Sequence, residues 1–124
     1  MRLTIATDEK KFFRQFLEIL SSIPPLNKLR NRELDILAAM MYYNYLYKDL
    51  DDDIRGRVLN SKATKKDVRE MLGMSQDVYN NNISIIKRTG MIEKSGRLAN
   101  ALQVFPGATY KMEFNFNIEK DVLR

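Results

Sequence analysis

Apolar residues recur at a helical period through most of this 124-residue chain and switch to strand alternation near its end, with Gly90 before the change. The clearest pattern is residues 61–92, SKATKKDVREMLGMSQDVYNNNISIIKRTGMI. Thr64 with Asp67 three residues on forms a capping pair, and Val68, Met71 and Leu72 then fall on one helical side. Gly73 offers a backbone that turns with positive φ, and Ser75 offers a fresh N-cap, so a second helix is predicted from Gln76. On that helix Tyr79, Ile83 and Ile86 share a face, with Asn82 beside them and Val78 and Ile85 on the flank. The opposite face carries Gln76, Asp77, Asn80, Asn81, Ser84, Lys87 and Arg88, and Gly90 ends the helix.

Upstream, residues 1–6 read as a short strand or an arm. Thr7 caps a first helix whose Phe12, Phe13, Phe16, Leu17 and Leu20 form a wide apolar stripe, ending before Pro24 and Pro25. The stripe is wider than one small core requires, which assigns Phe12, Phe13 and Phe16 to an oligomer interface. Asn31 is the predicted cap of the longest helix, 32–48, with Leu34, Leu37, Ala38, Met41, Tyr45 and Leu46 on its buried face. Tyr42, Tyr43, Tyr45 and Tyr47 cannot all point the same way, so core and surface must share them. Asp51, Asp52 and Asp53 fit the start of a helix better than a cation site, since no EF-hand spacing follows. Residues 54–60 then form a short helical turn or a strand.

After Gly90 a strand is predicted at 91–94, a turn at Ser95-Gly96, and a second strand at 109–116 with Tyr110, Met112, Phe114 and Phe116 on one side. The intervening 97–107 contains Leu98, Leu102, Val104 and Phe105 and fits a third strand or a small helix before Pro106-Gly107.

A capped helix, a short turn, a second helix with a polar outer face and a Gly-Met-Ile exit resemble the winged helix-turn-helix of arsenical-repressor and multiple-antibiotic-resistance type repressors. The resemblance is close over 61–92 and loose over 30–116, where RELDILAAM resembles the opening helix of such domains. It implies a mainly α fold with a small antiparallel β wing, here with an extra N-terminal helix. The long 97–107 segment departs from an ordinary wing tip.

Composition narrows the chemistry. Without a single cysteine or histidine, thiolate and imidazole nucleophiles, general bases and zinc ligands are gone, so an enzyme is not expected, nor a metal or other cofactor. No apolar run is long enough to span a bilayer, and MRLTIATDEK lacks a signal-peptide core, which points to a cytoplasmic protein, or a virion component if the source is a phage. The formal charge of +5 is unevenly spread: residues 55–100 hold ten Lys or Arg against four Asp or Glu. A local basic surface is what a phosphate-binding protein presents.

These features converge on double-stranded DNA as the partner, bound through helix 76–89 in a transcription or replication regulator. Gln76, Asp77, Asn80, Asn81 and Ser84 supply donors and acceptors for base edges, while Lys62, Lys65, Lys66, Lys87, Arg88, Lys94 and Arg97 supply cations for phosphates. The resulting division is an N-terminal helix at 1–26, a winged helix-turn-helix domain at 27–118 and a tail at 119–124. Winged regulators commonly dimerise to read two half-sites, so a homo-oligomer is expected. The rival is a winged helix used for protein contacts, for example in a viral or phage assembly.

Overall fold

The computed structural model describes residues 2–6, 9–106 and 111–115, with side-chain surroundings for 11–106. In chain order the elements are β1 (Arg2–Ala6), α1 (Glu9–Leu20), α2 (Asn31–Leu46), α3 (Asp52–Leu59), α4 (Lys62–Leu72), α5 (Gln76–Arg88) and β2 (Lys111–Asn115). Single 3-10 turns lie at Leu26–Lys28 and Asn100–Leu102. The fold is mainly helical, as the periodicity predicts.

α2 is the central element and touches α1, α3, α4 and α5. Its apolar residues run round most of its circumference: Leu34, Ile36, Leu37, Ala38, Ala39, Met40, Met41 and Tyr45 are all buried. A helix that is apolar on several sides needs cover on several sides, and each fully buried Leu or Ile contributes about 1.5–3 kcal/mol. Leu46, expected inside, is the last residue of the helix and is 46% exposed.

That need for cover corrects the expectation for the first helix. Phe12 and Phe13 are buried in the chain's own core with Leu17, while Phe16 is half-buried against it. The Phe13 ring lies 5.2 Å from Phe12 edge-on, 5.9 Å from Tyr45 and 6.2 Å from Tyr42. The wide stripe of α1 thus closes one side of α2, and Phe12 and Phe13 are not left for another subunit. Arg14 fastens the two helices, donating through Nε to Asp35 Oδ1 and through Nη1 to Glu18 Oε2, both at 2.7 Å. Burial of its guanidinium, which alone would lower the pKa, is outweighed by these carboxylates, and the net shift is upward.

Two caps differ from their predicted positions. Arg30, not Asn31, is the N-cap of α2, without a side-chain bond; Asn31 stands inside the helix and its Oδ1 accepts from Arg14 Nη2 at 3.3 Å. Ser61, not Thr64, caps α4: its Oγ accepts the Thr64 N–H at 3.3 Å, and Thr64 itself is buried in the first turn. On α4 Val68 is buried, while Met71, expected on the same side, is 51% exposed. The cap expected at Thr7 lies outside the described residues.

The β structure is also differently partnered. β2 pairs antiparallel with β1, Leu3 opposite Phe114 and Ile5 opposite Met112, so the N-terminal strand takes the place expected for 91–94. After α5 there is only an isolated antiparallel bridge, Ile92 with Leu98, and no extended wing among the described residues. Residues 109, 110 and 116, and the inner-face side chains expected at Tyr110, Met112 and Phe114, lie outside what is described, as does the 119–124 tail.

Candidate nucleic-acid interface

Local sequence explains how α4 and α5 are joined. Gly73 takes φ +64°, and the Met74 N–H reaches back to the Arg69 carbonyl at 2.9 Å, ending α4 in a left-handed turn. Ser75 Oγ then accepts the Val78 N–H at 3.3 Å and starts α5. Both signals are legible in the sequence.

α5 is seated by Tyr79, Asn82 and Ile86, all buried, with Ile83 half-buried beside them. Asn82 Nδ2 donates to the Val78 carbonyl at 2.8 Å, so this amide belongs to the helix's own inner side. Burial pushes the Tyr79 phenol up to about 12, only partly offset by Arg69, and its hydroxyl faces Met40 Sδ at 3.9 Å.

The outer side of α5 is open. Gln76, Asp77, Asn80, Asn81, Ser84 and Arg88 are exposed and Lys87 is half-buried. Ile85, assigned to the flank, is 37% exposed at the edge of this face. Ser84 Oγ donates to the Asn80 carbonyl at 3.0 Å. Lys62, Lys66 and Lys94 are exposed and Lys65 is half-buried; Lys66 approaches Glu70 at 3.9 Å, both ends in solvent, an ion pair of little weight.

Arg97 stands apart from the other candidates. Its Nε donates to Asp52 Oδ2, Nη1 donates to Glu93 Oε2 at 2.7 Å and to the Leu98 carbonyl at 3.1 Å, and Nη2 donates to Asn100 Oδ1 at 2.6 Å. The hydrogen bonds to Asp52 and Glu93 raise its pKa, while the guanidinium stays partly solvated. This corrects its expected role at a phosphate: it is a clamp between α3 and the turn after α5.

The same contacts set the course of residues 97–106. Gly96 has φ +95° and sits so close to α3 that a Cβ there would lie 2.4 Å from Asn60 Cβ. Leu98 and Leu102 are buried, so the long loop returns to the core through a small helix rather than projecting as a wing tip. Beneath it Arg55 is 8% exposed and donates to Asn44 Oδ1 and Asp52 Oδ1, each at 2.9 Å, and to the Leu50 carbonyl at 2.8 Å. Asn44 Nδ2 donates to Gln103 Oε1 at 2.9 Å, and Gln103 Nε2 donates to the Leu98 carbonyl at 3.0 Å. Phe105 covers the Arg55 guanidinium, 5.3 Å from ring centroid to Cζ. Sequence reading missed this network, although a lone Asn44 within the apolar run of α2 is the kind of residue that needs a buried partner. Two of the ten cations between 55 and 100 are therefore committed internally.

The aspartates behave as a helix start. Asp51 Oδ1 accepts the Asp53 N–H at 3.0 Å, and Asp52 holds both Arg55 and Arg97. Residues 54–60, left open as turn or strand, belong mostly to α3.

No helix among the described residues is long and apolar enough to cross a membrane. Comparisons with protein-family models, curated proteins and solved structures gave no significant match.

Proposed function

We propose that this chain binds double-stranded DNA, with α5 as the helix that enters the major groove. The carrying observation is the outer face of α5: Gln76, Asn80 and Asn81 are exposed with no side-chain hydrogen bond to another described residue, while the inner face is fixed by Tyr79, Asn82 and Ile86. Exposed amides free of other side-chain partners on a capped helix are suited to base edges, and Lys62, Lys65, Lys66, Lys87, Arg88 and Lys94 supply positive charge for phosphates. On this reading the chain is a winged helix-turn-helix of reduced wing, acting in transcription or replication, in the cytoplasm or in a phage particle. A homo-oligomer reading two half-sites would have to assemble without Phe12 and Phe13.

A second reading, contact with another protein, is favoured by one feature. A groove of about 300 Å³ is lined by Ala38, Ala39, Tyr42, Met71 and Leu72 together with the Arg14–Asp35 pair, and Met71 is half exposed. A mobility-shift assay on random duplex at two salt concentrations separates the two. Salt-sensitive retardation is expected for the DNA binder; no retardation at low salt refutes it.

A further inference from the structure

Given that α5 reads a duplex as proposed above, we infer that Asp77 and Ser84 make it a reader of exocyclic amines: adenine first, cytosine second, with guanine excluded beneath them. At about 100° per residue the exposed half of α5 has Asp77, Ser84 and, one turn beyond Ser84, Arg88 along its centre, with Asn80 on one side and Asn81 on the other. Ser84 spends its only proton on the Asn80 carbonyl, at 3.0 Å, and turns lone pairs outward. Asp77 is not used as the cap, since Ser75 already takes the Val78 N–H, and its exposed carboxylate is acceptor-only. No lysine or arginine occurs from Gln76 to Ser84; the cations of the helix, Lys87 and Arg88, come in its last turn.

Two acceptors set about two turns apart along a reading face each need a donor at the base they meet. In the major groove adenine N6 and cytosine N4 donate, whereas guanine shows two acceptors, N7 and O6, and is ordinarily read by Arg or Lys. The flanking amides of Asn80 and Asn81 match the adenine N6/N7 pair bidentately, and the partly exposed Ile85 at the rim suits a thymine methyl.

The test is enrichment of bound sites from a random duplex library by the full chain, followed by sequencing. One strand of the expected core is built of adenine and cytosine without guanine, and replacing its adenines by purine, which lacks the N6 amine, should weaken binding roughly tenfold or more. Asp77→Lys, a surface change checked for folding by circular dichroism, should move one core position to guanine. Guanine on both strands of the wild-type core, indifference to loss of the N6 amine, or an unchanged site for Asp77→Lys overturns the inference while leaving duplex binding intact. Absence of binding to every duplex at low salt removes the duplex-reading role itself, and this inference with it.

Discussion

Arg97 donates through Nε to Asp52 Oδ2 and so ties the turn that follows α5 to the first turn of α3. Both groups are partly solvated, at 22% and 44% side-chain exposure, so screening limits what the ion pair alone contributes. Arg97→Ala is expected to lower stability by about 1 kcal/mol through removal of its hydrogen bonds, measured by urea unfolding. The salt dependence of DNA binding should not change. A drop of one unit in salt slope would return Arg97 to the residues that hold phosphates.

Asn81 presents an exposed amide on the outer face of α5. Asn81→Ala should weaken a specific site by about 1–3 kcal/mol and leave random duplex nearly unaffected. Titrations on both duplexes check this, and equal losses on the two would assign the side chain to the backbone instead.

Lys65, Lys66 and Arg88 should behave in the opposite way. Replacing any of them by Ala is expected to weaken specific and random DNA alike, lowering the log–log salt slope by about one unit for each phosphate that the cation had neutralised. Unchanged affinity and slope across the set, in folded variants, would favour the protein-contact reading and its groove at Met71.

Tyr79 links the seat of α5 to alkaline pH. Its phenol is held at about 12 in the fold against an ordinary value of 10.0, because burial disfavours the phenolate. Below pH 10 both folded and unfolded chains keep the proton, and the stability is fully present. As pH rises from 10 towards 12 only the unfolded chain loses it, so stability falls by about 2–3 kcal/mol across that window. Tyrosinate absorbance and unfolding followed in parallel should show this phenol ionising late, with loss of α5. Tyr79→Phe should flatten that part of the profile.

The sequence alone settled what neighbouring residues decide. Ser75 as the cap of α5, Gly73 as the left-handed end of α4 and the two faces of α5 were all legible, because each depends on interactions within about one helical turn. The acidic start of α3 was legible for the same reason.

Tertiary structure decided everything that depends on which distant segment arrives opposite. Alternation marked 109–116 as a strand, but ladder pairing is non-local, and β1 rather than 91–94 supplies the edge. The phenylalanines of α1 looked surplus when a single buried face was counted on α2; α2 has several, and Phe12 and Phe13 fill one of them. Arg97 looked like one more surface cation, since its partner Asp52 lies 45 residues away. A charge acquires its role from what it meets in the fold, and nothing in its own neighbourhood of sequence distinguishes a clamp from a cation that holds a phosphate.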